Sequence, residues 1–117
     1  MDMQPTEFDG AVPVDGYGPG FFRVADKVHH GPVLVTQGGA RDWGGLDDRA
    51  PLMALAGQVD VLFIGMGAEI ARPPADLVAA LEAKGVMVEA MASPPAARIY
   101  NVTLSEGRRV ACALIPV

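Results

Sequence analysis

The sequence predicts a single-domain α/β protein, and three observations support this class. The chain has 117 residues, which is the usual size of one domain. A buried strand, a proline-opened helix and another strand follow one another over residues 59–91, and that order is typical of a βαβ unit with parallel neighbouring strands. The N-terminal half consists of short apolar runs separated by glycine and proline, which is the pattern of strands and turns.

Composition and charge exclude several classes of function. The net charge is −5 with only nine Lys and Arg residues, and the longest basic cluster is Arg108 and Arg109, so nucleic-acid binding is not expected. The longest wholly apolar run is far shorter than the roughly 20 residues that cross a bilayer. The acidic N-terminus resembles neither a signal peptide nor a presequence. The sequence therefore predicts a cytoplasmic protein without a transmembrane segment.

The N-terminal half is predicted to form strands. Residues 1–11 have no usable periodicity and are expected to form a loose arm, so the domain spans residues 12–117. A strand, a sharp glycine turn and another strand are predicted over residues 12–25. Two further strand segments are predicted over residues 28–36, and a short extended piece over residues 40–45.

Helices are predicted from their end signals. Asp47 and Asp48 are expected to open a helix that runs to about residue 56. A second helix is predicted over residues 74–84, after which a strand follows. Residues 93–107 contain strand-like IYNVTL, but Ser93 as N-cap and a glycine just past the last turn favour a helix. The apolar residues Ala97, Tyr100 and Leu104 also fall at the helical spacing i, i+3, i+7. Residues 108–117 then form a final strand, apolar on both faces and therefore central.

The strongest candidate motif is a glycine bend formed by Gly65, Met66 and Gly67, which follows the apolar strand. A dinucleotide fingerprint, G-x-G-x-x-G, needs a third glycine where this chain has Ile70, and it needs a helix that begins at once. Two prolines postpone the next helix here, so its amides are displaced from the bend. Glu89 is the best argument for nucleotide binding, at the spacing of a ribose-binding acid. Glycines that allow a tight strand exit are the favoured interpretation.

Other reactive groups are explained better as structure. His29 and His30 are neighbours in a strand, so their side chains point to opposite faces and cannot share a metal ion. The aspartates 42, 47 and 48 lack the alternation of a calcium loop. Cys112 lies in the apolar run VACALI without a nearby base, and as the only cysteine it excludes an internal disulfide. No catalytic residue, metal site or cofactor is predicted.

Three polar or aromatic residues are candidates for binding. Trp43 lies in a turn-rich segment and either anchors a partner or folds over the edge of the core as a lid. Arg98 and Asn101 lie three residues apart on the last predicted helix, where they share a face. They either receive an anion or a backbone segment, or they hydrogen-bond the glycine bend and lock the helix onto the sheet.

Four ordered segments together resemble a known family. GYGPGFFRV, RDWGG, VLFIGMGAEIARPP and AARIYNVTLSEGRRVACALIPV are similar to the family of unknown function 498, to which the mitochondrial complex I (NADH dehydrogenase) assembly factor 3 belongs. The similarity covers residues 12–117. It implies a compact α/β (α+β-like) fold in which a mixed sheet, with a hammerhead-like strand layer from the N-terminal half, packs on two or three helices. Many relatives have a cysteine where this chain has Ala97, which weakens a catalytic role, and the lack of a presequence suggests a bacterial relative.

The resemblance implies a non-enzymatic binding or assembly protein. Its partners would be respiratory complex subunits or another assembly factor, and its surface would combine the glycine bend with Arg98, Asn101 and nearby Trp43. The rival is a small-molecule or nucleotide-binding enzyme that uses Gly65, Gly67 and Glu89. A self-associating homo-oligomer is the third possibility.

Overall fold

The computed structural model describes residues 10–117, so the predicted loose arm lies almost entirely outside the described part. Within that part the elements, in chain order, are β1 (Val14–Gly18), β2 (Phe21–Val24), β3 (Lys27–His30), β4 (Val33–Thr36), β5 (Gly39–Asp42), α1 (Ala50–Met53), β6 (Val61–Met66), α2 (Ala75–Ala83), β7 (Met87–Met91), α3 (Ser93–Ser105) and β8 (Val110–Ile115).

The described strands form two sheets. The first three strands make an antiparallel sheet in the order β1-β2-β3, and the other five make a mixed sheet in the order β5-β4-β8-β6-β7. Strand β6 is parallel to both β7 and β8, while β4 is antiparallel to β5 and β8. The predicted fold class is confirmed, as are the βαβ unit and the central position of the last strand.

The mixed sheet separates two apolar cores. On one face α3 and the three-stranded sheet enclose a core that includes Phe22, Phe63 and Tyr100. On the other face α1 and α2 cover a second core that includes Leu52 and Leu77. Strands β6 and β8 lie between the two cores, and their first five residues are buried, which explains why both read as uninterrupted apolar runs.

The helix α3 confirms the prediction for the most ambiguous segment. Its β-branched and aromatic residues favour a strand by propensity alone, but the apolar stripe of Ala97, Tyr100 and Leu104 repeats at helical spacing and is buried against the sheet. Burial of one helical face outweighs an intrinsic preference of less than about 1 kcal/mol per residue.

Two predicted helix starts are wrong in detail. The helix α1 begins at Ala50 and is only four residues long, and the Asp48 carboxylate instead accepts a hydrogen bond from the Gly44 N–H at 3.0 Å. Ser93 is the first residue inside α3, after the N-cap Ala92, and its side chain does not cap the helix. Both side chains have tertiary or turn partners that compete with the expected cap, and a local pattern does not show those partners.

Candidate functional site

The glycine bend is filled by Ser93, the first residue of α3. The N–H of Gly67 donates to the Ser93 hydroxyl at 2.9 Å, and that hydroxyl donates to the Ile115 carbonyl. The N–H of Ser93 in turn donates to the Gly67 carbonyl at 2.7 Å. One fully buried hydroxyl therefore ties the ends of β6 and β8 to the start of α3.

The close approach of α3 requires glycine in the bend. A Cβ atom on Gly65 would lie 2.6 Å from the Ser93 Oγ and 2.8 Å from the Ser93 Cα. Gly67 has a φ of +97°, a conformation that L-residues with a side chain rarely adopt. Tight helix–strand packing and the sharp exit of the chain thus explain the two glycines.

The geometry of the bend is unfavourable for a phosphate. The Gly67 amide, which a pyrophosphate would need, is already bonded to Ser93. The helix α2 begins at Ala75, after Pro74 as its N-cap, so the predicted delay by the two prolines is confirmed. The positive end of the helix dipole therefore does not face the bend.

Asn101 binds a backbone segment, which is one of the two alternatives that the sequence left open. Its Oδ1 accepts from the Val14 N–H at 2.9 Å and its Nδ2 donates to the Val14 carbonyl at 2.8 Å. The neighbouring Tyr100 hydroxyl donates to the Val12 carbonyl at 2.9 Å. Helix α3 thus holds the beginning of β1, and with it the three-stranded sheet, through side-chain contacts.

Trp43 lies in the second core, on the face of the mixed sheet opposite α3. Its side chain is only 3% exposed, and its indole N–H donates to the Asp48 carbonyl at 2.9 Å. This position corresponds to the lid interpretation of the tryptophan.

Arg98 is exposed on the outer side of α3 and, among the described residues, forms no salt bridge within 4 Å. It lines a groove between α3 and β7 together with Glu89 and Val102. The structure therefore brings Gly65 and Gly67 against the start of α3, but it does not gather the other predicted site residues on one surface. Met66 is half-buried at the end of β6, Arg98 lies on the outer helix face, Asn101 contacts β1, and Trp43 lies on the opposite face of the sheet.

Two residues at this site were not among the site residues that the sequence predicts. Ser93 was expected to cap a helix, and its role depends on three chain segments that meet only in the fold. Ile70 is 78% exposed in the loop between β6 and α2, the highest exposure among the exposed large apolar residues of the described chain. An isoleucine between glycine and two prolines was the signal that could have drawn attention to this loop.

The two histidines have different neighbours in the described part of the chain. The His29 Nδ1 lies 3.3 Å from the Asp42 Oδ1, while His30 contacts the ring of Phe21 at a centroid distance of 6.4 Å. Within residues 10–117 no three His, Cys, Asp or Glu side chains are grouped closely enough to hold a metal ion. None of the helices there combines the length and the apolarity needed to span a membrane.

Cys112 is fully buried, and burial raises the pKa of its thiol well above the usual range. The folded state therefore keeps the thiol protonated, whereas the unfolded thiol ionises above about pH 8.5. Because the pKa of the thiol is higher in the folded state than in the unfolded state, the contribution of the thiol to stability is complete below that pH and is lost as the pH rises.

We expect Cys112→Ala to lose less unfolding free energy than the wild-type chain between pH 8 and 10, as measured by urea denaturation at each pH. Equal slopes in both proteins would contradict this assignment.

The fold and the helix-locked bend define a class of small mixed α/β domains. The chain belongs to the family described as protein of unknown function (DUF498/DUF598), whose model matches residues 14–115. This confirms the family that the sequence segments indicated. A solved Mth938-like domain from Bordetella pertussis is 26% identical with a TM-score of 0.78, covering 99% of this chain and 91% of that one.

Three other proteins are similar to this chain over most of its length. An uncharacterized protein of Rhodobacter capsulatus is 58% identical over 117 residues, covering 98% of this chain and 94% of that protein. NADH dehydrogenase [ubiquinone] 1 alpha subcomplex assembly factor 3 of Danio rerio is 29% identical, covering 97% of this chain and 69% of that protein. The crystal structure of an outer membrane protein from Bartonella henselae is 35% identical with a TM-score of 0.81, covering 91% and 95% of the two chains.

Proposed function

We propose that this protein is a non-enzymatic binding module that helps to assemble a respiratory complex of the complex I type. The observation that carries the proposal is the exposed loop after the glycine bend, which presents Ile70 to solvent while both of its ends are fixed. The similarity to a complex I assembly factor across 97% of this chain supports the choice of complex.

The loop is held by hydrogen bonds at its start and lies next to an ion pair at its end. At its start Gly67 exchanges hydrogen bonds with Ser93. At its end the chain enters α2, where Asp76 forms an ion pair with Arg49 at 2.7 Å. A preorganised loop loses less conformational entropy when it binds, so an exposed apolar tip becomes a more effective contact. Met66, half-buried at the end of β6, directly precedes this loop.

Two groups that could carry chemistry, the Ser93 hydroxyl and the Cys112 thiol, have structural surroundings instead. The Ser93 hydroxyl already has a hydrogen-bond donor and an acceptor, and the Cys112 thiol is buried and held protonated.

The rival function, a nucleotide-binding enzyme that uses the glycine bend and Glu89, predicts that a nucleotide stabilises the folded protein. A nucleotide at 100 times its dissociation constant adds about 2.7 kcal/mol to the unfolding free energy. Such a shift with NAD or ATP would favour the rival.

The proposal predicts that Ile70→Ser impairs capture of the partner without unfolding the domain. An affinity-tagged wild-type chain, expressed in its native cell, should retrieve complex I subunits or another assembly factor. We expect the variant to retrieve at least roughly tenfold less, because loss of a central hot-spot contact costs about 2 kcal/mol or more and about 1.4 kcal/mol is already a factor of ten.

A matched control is Val28→Ser on β3, because Val28 is also apolar and 51% exposed but lies on the other sheet. The control should retain wild-type recovery. Recovery of no complex I subunit or assembly factor by the wild-type chain would refute the assembly role, and equal losses in both variants would refute the proposed surface.

A cytoplasmic location is part of the proposal and is supported by the lone cysteine, which cannot form an internal disulfide. The similar Bartonella henselae chain is described as an outer membrane protein. Fractionation of native cells, followed by detection of the chain in the cytoplasmic and membrane fractions, tests this point directly.

A further inference from the structure

The strand β7 forms an open edge of the mixed sheet. It pairs with β6 over five consecutive residues in unbroken register, and among the described strands none pairs with its other side. Natural sheets usually protect such edges with proline, bulges or several charges. This strand, MVEAM, has a single charged residue, Glu89, and lacks proline.

The backbone of β7 leaves two residues with outward-pointing hydrogen-bonding groups. The Met87 N–H donates to the Asp60 carbonyl at 2.9 Å, so the backbone hydrogen-bonding groups of Met87 point toward β6. Because successive residues of a strand direct these groups to opposite sides, Val88 and Ala90 direct theirs away from β6. These groups can pair with a strand from another molecule.

Apolar grooves flank β7 on both faces of the sheet. On the α3 face a groove of about 550 Å³ is lined by Met91 and the exposed side of α3, where Val102 is 52% exposed. On the α2 face a groove of about 380 Å³ is lined by Val88, Ala90 and Val78. A strand added at β7 can therefore bury apolar side chains alternately on the two faces.

The charges at the groove rims are self-complementary. The α3 groove has Glu89 and Arg98, and the α2 groove has Glu82 and Arg72, and none of these four residues belongs to a salt bridge of the described structure. Because α2 connects the parallel strands β6 and β7, it runs opposite to them. Arg72 precedes this helix and lies toward the end of β7, whereas Glu82 lies toward the beginning. Antiparallel apposition of two copies thus places each Arg72 toward the Glu82 of the other copy.

We propose that the occupant of this edge is a second copy of the chain, which pairs β7 with β7 antiparallel about a two-fold axis at Glu89. In this register Val88 lies opposite Ala90 of the second copy, so the outward-pointing groups of both residues are paired. Glu89 lies opposite its own equivalent, which is unfavourable for two carboxylates unless cations are close. Arg98 of each copy supplies that positive charge, and the mixed sheets join into one continuous sheet.

The test is sedimentation equilibrium over roughly a hundredfold range of protein concentration, since dimerisation depends on protomer concentration. The wild-type chain should approach twice its 12.2 kDa mass as concentration rises. Glu89→Arg and Arg98→Glu each make the charges around the axis all alike and should weaken dimerisation at least tenfold. The double variant restores opposite charges and should recover most of the wild-type affinity.

Two further variants locate the interface. Arg41→Glu changes a charge on β5, the opposite edge of the same sheet, and should leave dimerisation unchanged. Ala90→Pro removes an outward-pointing N–H and should abolish the dimer, with circular dichroism as the check that the domain is folded.

A wild-type chain that is monomeric at all concentrations would overturn the proposal. So would failure of the charge-swapped double variant to recover affinity beyond that of the single variants. A monomer whose capture of another protein is lost in the Ala90→Pro variant would assign the edge to a foreign strand instead. The Ile70 variants test the assembly surface independently of these outcomes.

Discussion

Replacement of Asn101 by leucine is expected to lower the free energy of unfolding by about 2–4 kcal/mol. Leucine has nearly the same shape, so packing is retained while both hydrogen bonds to Val14 are lost. The Val14 N–H and carbonyl then face an apolar side chain instead of the amide. Each unsatisfied buried backbone group costs about 1–3 kcal/mol, and Val14 itself is only 7% exposed.

Urea denaturation measures this loss, and hydrogen exchange shows where it acts. Amides of β1, β2 and β3 should exchange faster than those of β6 and β8, because the variant loosens the contact that holds the three-stranded sheet. Ser105→Ala, at the exposed end of the same helix, is the matched control and should change stability by less than about 0.5 kcal/mol. A neutral Asn101→Leu variant would show that the amide is not a structural clamp.

Replacement of Gly65 by alanine is expected to destabilise the domain by about 3 kcal/mol, at the upper end of the range for overpacking. The new methyl group would lie 2.8 Å from both the Leu114 Cδ2 and the Ser93 Cα. The leucine can change rotamer, but the Cα belongs to the backbone at the start of α3. Relief therefore requires a shift of the helix, which also strains the hydrogen bonds of Ser93.

Gly38→Ala is the matched control, because a Cβ at Gly38 meets only the Thr36 hydroxyl at 3.9 Å and its φ is not in the left-handed region. Thermal denaturation of both variants should show a large loss for Gly65→Ala and little change for Gly38→Ala. Wild-type stability of Gly65→Ala would mean that α3 packs on the bend less tightly than the structure indicates.

Much of the fold was predictable because the signals are local. The βαβ unit followed from the apolar run of β6, the prolines before α2 and Gly85 after it, and the structure places β6 beside β7 in parallel register. The central position of β8 followed from residues apolar on both faces. Even α3, with its strand-like residues, was identified from the spacing of three apolar side chains.

The contacts of the candidate site were harder to predict from the sequence than the fold. Gly65 and Gly67 were recognised as special, but a glycine pattern does not show whether a ligand or another part of the chain occupies the space it leaves. Ser93 occupies it here, 26 positions further along from Gly67. Asn101 and Val14 are 87 positions apart, and no local signal joins them.

The amino-acid sequence by itself determined which segments are strands and helices and which faces they bury, because periodicity and turn chemistry act between near neighbours. It also determined the family. Only the tertiary structure decided what each polar side chain contacts: Ser93 the strand ends, Asn101 the first strand, and Trp43 the core across the sheet. Those contacts arise when distant segments pack, and a hydrogen bond depends on positions within a few tenths of an ångström that spacing along the chain does not encode.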